Sequence, residues 1–411
     1  MKRLSFLAVA LLSGAALLSS CKKEGGAGGD KIIIGEYASM TGQTATFGQS
    51  VHNGAVLAID ELNQSGGVLG KQIELQSEDD QSKTEDATAA VQKLINRNKV
   101  MALLGEVASS RSKAGGPIAQ AAKIPMISPA STNEDVTKIG DYIFRVCFID
   151  PFQGNALANF SMKSLGAKRA AVLTDVKQDY SMGLATSFRE TFRKNGGDIV
   201  SEQSYSSGDK DFRAALTSIR ATNPDVIFIP GYYSEVSLIV RQARELGINV
   251  PLLGGDGWDS PELTKGAEKE FMNTYFSNHF STEDPDPAVQ NFVKKYHEKY
   301  HTDPDAMGAL GYDAARILVD AFKRAGSTDP AKLRDAIAST KDFAGVTGKI
   351  TINAERNAEK PITILKIVDG KYHFAQRIGP GGETQTEFKA DTPAPAAAAP
   401  AAAPAEPVKK K

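Results

Sequence analysis

The chain has 411 residues, 41% of them hydrophobic, enough for a sizeable core and, on domain-size grounds, for two or three domains. Its 48 basic and 49 acidic residues are interspersed and leave a formal net charge of −1, without the Lys/Arg stripe and interleaved aromatics of a nucleic-acid-binding face. A surface neutral on average suits a small-molecule role.

Residues 1–20 read as an export signal: Lys2-Arg3 precedes an apolar run over 4–18 that Ser13 and Gly14 interrupt and that is too short to span a bilayer comfortably. The junction Leu18-Ser19-Ser20-Cys21 resembles the lipobox of bacterial lipoproteins, which implies lipidation of Cys21 as the first mature residue. An ordinary signal peptide with Cys21 incidental is the plainer alternative. With Cys21 given to lipid, Cys147 has no partner in the chain, so the fold is expected to hold without a disulfide and Cys147 to act as a small buried hydrophobe. Residues 21–30 are Gly-rich and charged, a flexible tether.

From residue 32 short apolar runs alternate with stretches of helical periodicity. A buried strand at 32–35 and a polar loop at 39–44 lead to a helix striped by Val51, Ala55, Ala58, Ile59 and Leu62. A strand at 73–76 and a helix on Ala87, Val91, Leu94 and Ile95 follow, then a strand at 100–104, a helix opened by Ser109-Ser110, and strands at 124–128 and 142–146. After Asp150-Pro151 the alternation starts afresh, with strands at 170–174, 199–203, 226–229 and 251–254 separated by helices at 182–195, 211–221 and 235–246. This is the signature of parallel sheets covered on both faces, in two similar α/β halves. Beyond residue 260 the pattern loosens: a strand at 274–280 that could return to the first half, helices at 288–300, 309–324 and 332–339, and extended segments at 347–353, 362–368 and 372–376 with a tight turn at Asp369-Gly370. Residues 381–411 are expected to be a disordered, Ala/Pro-rich tail.

His297-Glu298-Lys299-Tyr300-His301 matches the HExxH zinc-protease pattern, but Val289, Phe292, Val293, Tyr296 and Tyr300 already define the buried stripe of that helix, which leaves both histidines at its edge or wet face. Gly254-Gly255-Asp256-Gly257 lacks the GxGxxG spacing, there is no GxSxG elbow, and the five histidines are scattered, so catalysis has no anchor. Binding has one. Small ligands sit beyond the carboxyl ends of parallel strands, and there Ser109-Ser110 offer hydroxyls and free N–H groups for a carboxylate. Ala130, Ser131 and Thr132 add a carbonyl and hydroxyls, and Asp256 a negative charge for an ammonium. Taken singly, Ser109 reads equally well as a helix cap and Asp256 as a turn carboxylate; their common place at strand ends of two facing halves favours a site.

In order along the chain, Met40-Thr41-Gly42 with Phe47-Gly48, 63–70 (NQSGGVLG), Asp79-Asp80, Leu104-Gly105 with Ser109-Ser110, 127–132 (ISPAST) and Phe144-Arg145 resemble the branched-chain amino-acid-binding proteins of ABC importers. Asp179-Tyr180, Asp211-Phe212, Gly231-Tyr232, Arg241-Gln242-Ala243 and Gly255-Asp256-Gly257 continue the resemblance, which runs from about residue 32 to 376. It implies the α/β type I periplasmic binding protein fold, two Rossmann-like lobes with parallel sheets joined by three hinge crossings near 147–151, 277–281 and 353–357. The N-terminal lobe would comprise 31–149 plus 281–354, and the C-terminal lobe 150–280 plus 355–380. It further implies that Ser109, Ala130 and Thr132 hold the ligand's carboxylate and amine, that Asp256 pairs with the ammonium, and that Phe47, Tyr180 and Tyr232 close over the side chain. The protein would then be no enzyme, need no cofactor or metal, take a free, most simply branched-chain or aliphatic, amino acid, and deliver it as a monomer to an ABC permease. It would sit lipid-anchored in the periplasm or at the cell surface. Another small polar ligand (an amide, urea or an aromatic acid) and a sensing module that hands ligand to a separate receptor remain the alternatives. Asp256 departs from the Glu common in leucine-binding members, Ala108 replaces a cysteine found in some, and the tail is foreign to the family.

Overall fold

A computed structural model describes residues 31–387; the export signal, Cys21, the tether and the tail from 388 on lie outside the described residues. The chain opens with β1 (Ile32–Ala38), α1 (Ala45–Gln64), β2 (Ile73–Asp79), α2 (Thr84–Asn96), β3 (Ala102–Leu104), α3 (Ser109–Ala122), β4 (Met126–Ser128), α4 (Asp135–Lys138) and β5 (Ile143–Arg145). Its five strands are all parallel, in the order β2-β1-β3-β4-β5. The second series is α5 (Asp150–Lys163), β6 (Arg169–Asp175), α6 (Asp179–Lys194), β7 (Asp198–Tyr205), α7 (Arg213–Ala221), β8 (Val226–Phe228), α8 (Tyr233–Glu245), β9 (Leu252–Gly254) and β10 (Thr274–Asn278). Its parallel order, β7-β6-β8-β9-β10, repeats the first. The strand order therefore reverses beside β1 in one half and beside β6 in the other, and crevices open at such switch points. The central strands are short runs such as ALL and VIF, buried at every residue, as strands covered on both faces must be.

The rest of the chain comprises α9 (Pro287–Tyr300), α10 (Ala306–Ala325), α11 (Pro330–Ala338), a small antiparallel sheet of β11 (Phe343–Gly345), β12 (Gly348–Ile352) and β13 (Ala358–Glu359), and then β14 (Ile362–Val368), β15 (Lys371–Ile378) and β16 (Thr384–Glu387). Helix α10 is buried almost all round and lies hard against α1: a Cβ on Gly54 would stand 1.9 Å from the Gly308 carbonyl oxygen, so only glycine permits that approach. Its ends are well formed, with Asp305 accepting from the Gly308 N–H (2.8 Å) and Gly326 in the left-handed cap position.

Three differences from the sequence reading emerge, two of them in where the chain changes lobes and one in where the ordered sheet ends. The strand at 274–280 does not return to the first half; β10 pairs in parallel with β9 and antiparallel with β14, because the open edge of the second sheet is the nearest partner for its backbone. The third crossing falls at Lys360-Pro361 and not at 353–357. Arg356 and Asn357 are still held by the first lobe, through Arg145 N–H to the Arg356 carbonyl (3.2 Å) and the Thr137 hydroxyl to Asn357 (3.0 Å). The expected start of the disordered tail is also too early, since β16 pairs with β15 and closes the sheet edge through residue 387. In the first crossing Cys147 is a buried free thiol that donates to the Ser131 carbonyl at 3.3 Å; burial pushes its pKa up to about 12, so it stays protonated and unreactive.

Candidate functional site

Every residue singled out for binding lies just beyond the carboxyl end of a parallel strand: Phe47 after β1, Ser109 and Ser110 after β3, Ala130 to Thr132 after β4, Tyr180 after β6, Tyr232 after β8 and Asp256 after β9. The structure brings them to one cleft between the lobes.

The first lobe places a charged cluster behind the start of α3. Arg111 is 3% exposed; its Nε lies 3.1 Å from Glu106 and 3.8 Å from Asp80, and its Nη2 donates to the Thr44 hydroxyl at 2.8 Å. Ser39 Oγ lies 2.7 Å from Asp80 and 2.9 Å from Glu106, yet a hydroxyl has one proton to give. Burial, then the neighbouring Glu106 charge, lift the Asp80 carboxyl to about 8, so Asp80 itself carries the second proton at neutral pH. Because the unfolded carboxyl ionises near its ordinary value of 3.8, the folded chain holds a proton the unfolded one has lost, and stability must fall as pH rises through this window. Melting of the ligand-free protein followed between about pH 5 and 8 should show that decline, and Asp80→Asn should reduce its slope. An unaltered slope would put the proton on another group.

Ahead of this cluster the head of α3 is open. The first helical bonds run from the Arg111 and Ser112 N–H groups to the Ala108 carbonyl (both 3.0 Å), which leaves the N–H groups of Ser109 and Ser110 directed beyond the helix. Ser109 Oγ accepts from the Asn133 N–H (3.1 Å), which ties the two turns together. Ser131 is spent within its loop: its Oγ lies 2.7 Å from Ser112 Oγ and donates toward the Glu106 and Val107 carbonyls. Thr132 differs, for its hydroxyl is buried beside the Asp150 carboxyl without a well-formed hydrogen bond. Beside it stands a residue the sequence reading passed over. Asp150 opens α5 and is 1% exposed, yet neither carboxylate oxygen receives a well-formed hydrogen bond. Burial drives its pKa well above the carboxylate range, and the nearby Asp256 charge adds to this against the Thr132 hydroxyl and Arg145. A cavity of about 480 Å³ reaches Asp150 from the flank of the cleft, past Asn133, Asp179 and Gly183. Gly183 allows the lobes to come this close, since a Cβ there would lie 2.7 Å from Asn133 Nδ2 and 3.1 Å from Asp150 Oδ2.

From the second lobe Tyr180 and Tyr232 stack in parallel, 5.1 Å between centroids and 5° between planes, and the Tyr180 hydroxyl accepts from the Gly257 N–H at 3.1 Å. Phe47 reaches across from the first lobe and meets Tyr232 and Tyr233 edge-on at 5.7 and 5.0 Å. Asp256 sits in a short 3₁₀ turn, Asp256–Trp258, 2% exposed. Its Oδ1 accepts from Gln153 Nε2 (2.6 Å) and its Oδ2 lies 3.0 Å from His279 Nε2. The lobes touch on both sides of the cleft. On one side Thr46 Oγ1 lies 3.0 Å from Ser260 Oγ. On the other, Asp179 receives Lys113 Nζ on its carboxylate (2.9 Å) and Asn133 Nδ2 on its carbonyl (2.9 Å), and gives its N–H to Ser110 Oγ (3.1 Å). Ser110 is thus committed to a contact between lobes. The HExxH stretch lies elsewhere: α9 stops at Tyr300, His301 takes the left-handed cap (φ 56°), and His297 pairs with Asp303 at 2.9 Å on the surface.

Comparison with known proteins identifies the family and the fold. A family model described as "Periplasmic binding protein" matches residues 31–371. The Leu/Ile/Val-binding protein BraC3 of Rhizobium johnstonii is 30% identical over 325 residues, 78% of this chain and 87% of that protein. A leucine-binding protein of Thermotoga maritima has a similar structure, with a TM-score of 0.82 and 42% identity over 85% of this chain and 99% of its own. A branched-chain amino-acid transporter substrate-binding protein of Streptococcus pneumoniae, solved with isoleucine, gives a TM-score of 0.80 at 36% identity, over 84% of this chain and 98% of its own.

Proposed function

The chain belongs to the periplasmic binding protein family, a family of extracytoplasmic solute-binding proteins, and on that footing we propose that it captures a free amino acid with an aliphatic side chain between its lobes and delivers it to an ABC permease. The observation that supports this most is the pairing of two buried acidic side chains, Asp150 and Asp256, with a Thr132 hydroxyl that makes no well-formed hydrogen bond, in a cleft closed on both sides. Such a set calls for a desolvated cation with several protons to donate, and an α-ammonium supplies both. Ser109 and the free N–H groups at the head of α3 take the ligand's carboxylate, where the helix N-terminus favours a negative charge. The ammonium goes to the Ala130 carbonyl, the Thr132 hydroxyl and the two carboxylates, and Phe47, Tyr180 and Tyr232 cover the side chain. Ser110 and Ser131 act at one remove, Ser110 in closing the lobes and Ser131 in bracing the loop. An aromatic acid, without an ammonium, would leave the Asp256 charge without a cationic partner.

The ligand relatives argue for leucine, isoleucine or valine: the Streptococcus pneumoniae neighbour was solved with isoleucine. Anchoring through a lipidated Cys21 and action as a monomer complete the reading. A thermal-shift panel on the exported chain tests it. At 100 times Kd the bound amino acid should stabilise the protein by about 2.7 kcal/mol, whereas 4-methylpentanoate and benzoate should give no comparable shift. A panel in which no amino acid moves the transition, or in which benzoate does so as well as leucine, sinks the assignment.

A further inference from the structure

His279 is unaccounted for by the site as described. It follows β10 at the second crossing, is 3% exposed, and stacks on Phe148 of the first crossing at 3.7 Å between centroids and 18° between planes. Its Nε2 meets Asp256 Oδ2 at 3.0 Å, while its Nδ1 is buried with no partner. These two facts fix the proton. A hydrogen on Nδ1 would be a buried donor with nothing to bond, and would turn the Nε2 lone pair against a carboxylate oxygen; a hydrogen on Nε2 avoids both. The titratable groups acting on the ring are Asp256 and Lys360; burial, with the Lys360 charge acting the same way, outweighs the Asp256 carboxylate, so that His279 becomes protonated only at about 4.

We propose that His279 is a positioning residue for ligand recognition: its neutral imidazole donates Nε2–H to Asp256 and, held flat on Phe148, locks the plane of that carboxylate to two of the three hinge crossings. Gln153 fixes the other oxygen, so Asp256 presents its remaining lone pairs in one direction. Bracing of this kind holds a binding group in one orientation before the ligand arrives. The inference rests on the amino-acid reading for its functional consequence but not for its chemistry.

Two measurements test this, and the first needs no ligand. ¹⁵N NMR of the imidazoles in the ligand-free protein should show one ring in the neutral Nε2–H form, unchanged from pH 8 to 5, that disappears in His279→Gln. A protonated ring or the Nδ1–H form overturns the proposal whatever the ligand is. In the second, His279→Phe, which keeps the stack and loses the donor, should weaken the amino acid that the panel identifies by about tenfold or more. His279→Gln, whose amide places a donor near the Nε2 position, should recover most of that loss. Equal affinities for all three proteins, or equal losses in both variants, refute the positioning role. A correct tautomer with no amino acid bound would refute the proposed function alone.

Discussion

Asp256→Asn is expected to weaken amino-acid binding at least about thirtyfold, because removing one partner of a buried, hydrogen-bonded charge pair costs about 2–5 kcal/mol and each 1.4 kcal/mol is tenfold. The substitution is nearly isosteric, so the loss does not come from a cavity. It removes the charge, and it also mismatches the hydrogen bonds: Gln153 Nε2 and His279 Nε2 both donate to Asp256, and an amide can accept from only one of them. The other contact becomes donor against donor. Titration calorimetry on the wild-type and variant proteins measures the effect directly. Undiminished affinity would mean that the ammonium is held elsewhere.

Asp150→Asn should separate stability from binding. The Asp150 carboxyl has its pKa raised by burial, so above the ordinary carboxylate pKa the folded state is penalised for a charge that the unfolded state carries freely. A neutral amide of the same shape removes that penalty. The ligand-free variant should therefore melt higher than the wild type, by about 1–3 kcal/mol in stability near neutral pH, with the gap narrowing as pH falls toward 4. Its affinity for the amino acid should fall by about tenfold or more, as one of two negative charges around the ammonium is gone. A variant that melts lower and binds as well as the wild type would make Asp150 a structural residue only. Strain of this kind, held in the empty site and relieved by the cognate cation, is a known cost of preorganised binding.

Much of this was legible in the sequence because it depended on local order. Apolar runs as short as 102–104, followed by glycine and then Ser109-Ser110, gave both a buried strand and the helix head that carries the site. The order of motifs then placed Tyr180, Tyr232 and Asp256 opposite them. What escaped depended on contacts distant in the chain. Asp150-Pro151 reads as an unexceptional helix start, and only the fold shows its carboxyl buried without a well-formed hydrogen bond. His279 carries no periodic signal, and its place beside Asp256 comes from residues 23 positions apart meeting at the ends of the neighbouring strands β9 and β10. The sheet that β10 joins could not be read from 274–280 for the same reason: an alternating run states which face is buried, not which strand is its neighbour.

Asp179 makes three bonds with the opposite lobe at the rim of the cleft, and its ion pair with Lys113 is partly open to water, each side chain 30% exposed. A fastener so placed contributes little to how tightly the solute is held, because exposed pairs are worth about 0–1 kcal/mol and are screened by salt. It is, however, the contact that water can reach first. Salt that screens this pair acts on the closed state, so the residence time of the solute, more than its rate of capture, is expected to be the quantity that ionic strength tunes.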